Sequence, residues 1–281
     1  MLSRADPAGE RPRICILANS HAAMLKHARD AAPDLRWSPT FFAAPSGLMR
    51  SLRLTPDRKR LVTANMRTRD IMTMVSGGLH EVALGDFDAI VLMGLTAKSM
   101  DAMRLFTDYQ PLGRRVSPDA TLISEDAFEA TIRSIYSQSI AQYMLKQLQA
   151  IDHPILFVPS PVPAETLALR EGFGWISQPG GREAVAWINA MCFGIWQEAA
   201  IEAGARIALQ PAQTLGALNL TKRGYSEGSM MLQRDQQQVD DDKHMNARYG
   251  RLVLEQIGDV FAPQLTAQRI SPRPRPRAKT G

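Results

Sequence analysis

Arg13-Ile-Cys-Ile-Leu-Ala18, continued by Asn19-Ser-His21, is the stretch whose reading decides the fold. Its first six residues form an apolar run rich in β-branched side chains, the pattern of a strand buried on both faces. From His21 to Ala32 the small and apolar residues Ala22, Leu25, Ala28 and Ala32 recur at helical spacing, with Lys26, His27 and Arg29 between them. A buried strand, a short polar turn and a helix open a βαβ unit.

The alternation continues outward from there. Arg36–Ala44 reads as a second strand ending in Ala-Pro-Ser-Gly47, and Asp88–Met93 as a central strand. Ser124–Ala150 reads as one long helix entered through an N-cap serine and two first-turn acids. Pro154–Val158 reads as another buried strand and Glu183–Ala203 as an amphipathic helix. Arg206–Leu209 is read as the last strand and Met245–Phe261 as the closing helix. This order predicts an α/β fold, a three-layer α/β/α sandwich on a mainly parallel sheet. The expected organisation is a flexible segment over 1–12, one domain over 13–262 and a disordered basic tail over 263–281.

The charge has a local origin. The chain has 281 residues, a formal charge of +5 and 33 basic against 28 acidic side chains. Arg269, Arg273, Arg275, Arg277 and Lys279 lie in a terminal stretch without an acid, and removing them leaves the body neutral. Basicity confined to a Pro/Arg tail does not predict a nucleic-acid partner. Cys15 and Cys192 are far apart in apolar surroundings and read as core residues of a reducing compartment. Met1–Arg13 is polar and no window has the length of a membrane span, so the expectation is a cytoplasmic protein without a spanning segment.

In open α/β sheets, sites form on the loops that leave the carboxyl ends of the strands. Asn19-Ser-His21 occupies one such loop, and Val239-Asp-Asp-Asp-Lys-His244 lies just before the closing helix. Asp241 and His244 are three residues apart, a spacing that can set a carboxylate against one imidazole nitrogen and leave the other for a nucleophile. A serine hydroxyl needs such a base, because it attacks well only as its proton is taken. Ser20 is the serine in question; its alternative role is that of a helix N-cap. Asp240 and Asp242 compete for the partner role without sharing the offset.

Two blocks carry a resemblance. Ala18-Asn-Ser-His21 resembles the Gly-Asp-Ser-Leu block of the SGNH (GDSL) hydrolase superfamily, and Asp241-Asp-Lys-His244 resembles its Asp-x-x-His block. The resemblance implies a flavodoxin-like fold and acyl-ester chemistry without a cofactor: hydrolysis, or transfer to a sugar hydroxyl. It casts Ser20 as nucleophile, His244 as base and Asp241 as its orienter. The substrate would be a small-molecule or glycan acyl ester. It also implies an oxyanion hole made by the Ser20 backbone, Gly47 and the residue at Thr96. The family has an asparagine at that last position, and a lost oxyanion donor costs about 10²–10³ in rate. A catalytically inactive binding module on the same fold is the alternative that this departure favours.

Other motifs point elsewhere. Gly224-Tyr-Ser-Glu-Gly228 matches a nucleophile elbow, but Thr221-Lys-Arg before it is no buried strand, so it reads as a polar loop, one that could border the pocket. The five histidines show no metal-ligand spacing. Gly172-Phe-Gly174 and Gly180-Gly181 read as turns, Arg114 and Arg115 as residues of a solvated loop, and His21 as a packed or solvated turn residue.

Overall fold

The computed structural model describes residues 11–31, 34–229 and 241–270, with backbone alone for 264–270. The chain opens with β1 (Arg13–Ala18), α1 (Ala22–Ala31) and β2 (Ser38–Ala43). Three short strands follow, β3 (Arg53–Leu54), β4 (Arg60–Val62) and β5 (Val82–Ala83), with α2 (Met66–Ser76) between the last two. Next come β6 (Ala89–Gly94), α3 (Met100–Asp108), β7 (Tyr109–Pro111) and β8 (Thr121–Ile123). The second half contains α4 (Glu125–Ser137), α5 (Ile140–Leu148), β9 (Ile155–Pro159), α6 (Gly181–Glu202), β10 (Arg206–Ile207) and α7 (Ala247–Ile270).

Five strands form the central sheet in the order β10-β9-β6-β1-β2, and every pairing in it is parallel. Counted along the chain this is 2-1-3-4-5, the flavodoxin-like order, whose switch point lies between β1 and β6. The register aligns Ala18 with Ala43 and Met93, and Gly94 with Pro159, so four strands end along one rim. Side chains alternate between the faces. Ile14, Ile16, Val91 and Met93 face a layer made by α1 and α7, whereas Cys15, Leu17, Ile90 and Leu92 face α3, α4, α5 and α6. Val253, Leu254, Ile257 and Phe261 of α7 are buried, each stabilising the fold by roughly 1.5–3 kcal/mol.

α1 and α7 pack at unusually close range because position 250 is glycine. A Cβ there would collide with the Met24 carbonyl oxygen and meet the Ala28 Cβ at 3.1 Å. The two helices whose starts carry Ser20 and His244 are thereby set side by side.

The structure departs from the sequence reading in several places. The expected helix 124–150 is two helices, because Ser139 caps a fresh start with its hydroxyl accepting from the Gln142 N–H. The last strand is two residues long, Arg206–Ile207, instead of four. The closing helix begins at Ala247, where Asn246 accepts from the Arg248 and Tyr249 N–H groups, and runs to Ile270, past the expected limit at 262. The helices α2 and α3 and the small sheet β3-β4-β5 have no counterpart in that reading. Residues 1–10 and 271–281 lie outside the described residues. Cys15 and Cys192 are buried free thiols, and burial pushes Cys192 up to about 12. Among the described residues no helix is long and apolar enough to cross a membrane.

Candidate active site

The turn after β1 is built by Asn19. Its side-chain oxygen accepts from the His21 N–H at 3.2 Å, and its carbonyl receives the Ala22 N–H at 3.1 Å. Between these two bonds Ser20 is held half-buried at the switch point. Its hydroxyl caps no α1 N–H; it lies 2.8 Å from His244 Nε2.

His244 is oriented from behind. Its Nδ1 lies 2.6 Å from Asp241 Oδ2, and the other carboxylate oxygen accepts the Lys243 N–H at 2.9 Å and the His244 N–H at 3.1 Å. An ionised carboxylate only accepts, so Nδ1 carries the proton and Nε2 is left to accept from Ser20. Both side chains are withdrawn from solvent, at 11% exposure for His244 and 6% for Asp241. Burial alone would raise the Asp241 carboxyl. The imidazole hydrogen bond and charge, with the two backbone N–H groups, outweigh it and hold the carboxyl below its usual range.

The neighbouring Asp242 has a different fate. It is 1% exposed, turned toward Arg170 at 3.3 Å, and burial raises its carboxyl against the pull of that guanidinium. Its backbone carbonyl accepts the Ala164 N–H. Asp240 lies outside the described residues.

The opposite wall of the cleft is the turn after β6. Gly94, Leu95 and Thr96 have φ of +73°, +48° and +65°, and the Ala97 N–H closes the turn on the Gly94 carbonyl at 3.0 Å. Left-handed φ at both central residues defines a type I′ turn, normally the province of Gly, Asn and Asp. Leucine and β-branched threonine hold it at a cost of about 1–3 kcal/mol each. The start of α5 supports the turn. The Ala141 N–H donates to the Leu95 carbonyl at 2.8 Å, and the Ile140 N–H donates to Thr96 Oγ1 at 2.9 Å. A backbone N–H can only donate, so Thr96 Oγ1 accepts there and retains its own proton to give. The backbone N–H groups of Ser20, Gly47 and Thr96 have no acceptor among the described residues.

Gly94 is fixed by crowding as well as by φ. A Cβ there would meet His21 Cδ2 at 2.7 Å, Asn19 Oδ1 at 2.9 Å and Ser160 Oγ at 3.3 Å. These groups floor a cleft of about 310 Å³ that Ser20, His244, Gly47 and Thr96 also line. His21 is buried beside His244, their rings 5.4 Å apart. Burial, reinforced by the charge of His244, pushes His21 down to about 3, so it stays neutral near neutral pH. Its Nδ1 and the Ser160 hydroxyl are buried without partners among the described residues, each costing roughly 1–3 kcal/mol.

Four of the five residues proposed from sequence therefore line one cleft, with Asp241 behind His244, and Lys98, Lys243 and Ser160, which the motif reading did not assign, line it too. Gly224–Gly228 is not part of it. Ser226 is 5% exposed, its hydroxyl donates to the Arg223 carbonyl, and Asn246 clasps the loop through the Gly224 and Glu227 carbonyls. Arg114 is engaged elsewhere, with Glu125 at 3.3 Å and over the Trp187 ring at 4.6 Å. Gly172 and Gly180 adopt left-handed φ in turns. Among the described residues no His/Cys/Asp/Glu group could hold a metal ion.

No protein family and no curated protein matches the chain. Solved structures with a remote likeness include a phospholipase A1 from Streptomyces albidoflavus, at 11% identity and a TM-score of 0.45, covering 88% of this chain and 99% of that one. A Lactobacillus plantarum protein matches at 12% identity and a TM-score of 0.41, with 90% and 98% covered. A DUF4886 family protein from Bacteroides uniformis follows at 13% and 0.37, with 96% and 88% covered. Likeness of this degree carries no argument about chemistry.

Proposed function

We propose that this protein is a serine esterase of the SGNH kind, acting on an acyl ester through Ser20, His244 and Asp241. The observation that carries the reading is the unbroken hydrogen-bonded chain from the Ser20 hydroxyl through both His244 nitrogens to Asp241. Residues 224 positions apart supply the two ends of the Ser20–His244 bond.

In the reaction the Ser20 oxygen attacks the acyl carbonyl carbon while His244 Nε2 takes the hydroxyl proton. The carbonyl electron pair moves onto oxygen, where the free N–H groups of Ser20 and Gly47 and the Thr96 hydroxyl are the donors at hand. Collapse of this intermediate breaks the ester C–O bond, and the departing alkoxide receives the proton from His244. Water then attacks the acyl-serine with the same base, releasing the acid and restoring Ser20. Asp241 keeps the imidazole in the required tautomer and offsets its charge at each transfer. A sugar hydroxyl in place of water would make the enzyme an O-acyltransferase. A pocket that merely binds would need neither the Ser20–His244 bond nor the ionised carboxylate behind it.

The test is turnover of 4-nitrophenyl acetate. The wild type releases nitrophenolate, and Ser20→Ala and His244→Ala each lose on the order of 10⁶ in kcat, to background. Faster acyl release on adding a sugar would assign transfer; undiminished turnover by folded Ser20→Ala would sink the proposal.

A further inference from the structure

We infer that the ester accepted by this cleft carries an anionic group close to the scissile bond. The inference rests on the Ser20 esterase reading and adds the substrate's chemistry.

The first observation is charge. Lys98, from the loop after β6, and Lys243, from the loop before α7, both line the cleft, and among the described residues no carboxylate does. Lys98 is paired with Asp101 at 3.1 Å, whereas Lys243 has no ion-pair partner among the described residues. Lys243 is held in place by its own backbone N–H, which donates to Asp241. Its ammonium therefore belongs to the same short loop as the base.

The second observation is the chemistry of the reaction itself. When His244 takes the serine proton it becomes a cation next in sequence to Lys243, with Asp241 as its one hydrogen-bonded counter-charge. An anionic substrate in the cleft that Lys98 and Lys243 line offsets that new charge in the transition state, and the lysines draw it in beforehand.

Two pairs of esters test this, with each rate divided by that of hydroxide. Mono-4-nitrophenyl glutarate against methyl 4-nitrophenyl glutarate places the anion on the acyl side. The compound 4-acetoxybenzoate against its methyl ester places it on the alcohol side. In at least one pair kcat/KM favours the anion by about tenfold at low salt, and the ratio falls toward one in 0.5 M NaCl. Replacing Lys98 and Lys243 together by Met lowers that ratio severalfold within the variant. A ratio of one or less in both pairs, with a fluorophosphonate still labelling Ser20, overturns the inference and leaves the esterase standing. Folded wild type that neither turns over any ester nor takes the label removes both.

Discussion

The two walls of the cleft are built by different means. On one, Ser20, His244 and Asp241 are joined by hydrogen bonds of 2.6–3.1 Å and backed by α1 and α7, locked together at Gly250. On the other, Gly47 sits exposed in the 3₁₀ turn Ser46–Ser51, and Thr96 stands in a left-handed turn propped by the start of α5. The first wall is held by its own contacts. The second keeps its donors free, at the cost of backbone strain. The difference fits the tasks proposed for them: a proton relay is assembled before substrate arrives, whereas an oxyanion hole must remain unsatisfied until charge develops.

Substitutions that separate the two walls sharpen this comparison. Asp241→Asn keeps the shape of the first wall but favours the wrong tautomer of His244, and kcat should fall by about 10⁴. A loss below tenfold would mean that the carboxylate merely tethers its loop. On the second wall, Thr96→Val removes the hydroxyl, and kcat should fall by about 10²–10³ with KM little changed. Thr96→Ser, which keeps the hydroxyl bonded to Ile140, should retain most of the activity. If Val and Ser variants were equally active, the donor role of Thr96 would be wrong and its hydroxyl would serve α5 alone. A drop in melting temperature without a change in kcat in Thr96→Val would say the same.

The first wall was the legible one. A strand that enters a polar turn, and an aspartate three residues before a histidine, are local patterns, and local hydrogen bonds realise them. Asn19 shapes the turn and Asp241 receives the Lys243 and His244 N–H groups. Even so, three consecutive aspartates could be sorted only by offset, and burial decides between two of them. Asp242 turns into the core toward Arg170, with its carboxyl raised where that of Asp241 is lowered. The second wall was legible only in outline. Nothing in Gly94-Leu-Thr96 announces two left-handed non-glycine residues, because tertiary bonds from Ile140 and Ala141 impose them. The same bonds explain why the helix expected over 124–150 is broken, since Ser139 restarts it where those N–H groups must face β6. Lys98 and Lys243 escaped notice for a related reason: a lysine in a loop reads as solvated until the fold brings two of them to one cleft.

The claim that Ser20 is an activated nucleophile meets its most direct test in intact mass after treatment with a fluorophosphonate. The account predicts one adduct on the wild type, retained in Ser226→Ala, slowed in His244→Ala and absent from Ser20→Ala. An adduct that persists in Ser20→Ala, or vanishes in Ser226→Ala, would contradict it and return the nucleophile to the Gly224–Gly228 loop or to another residue.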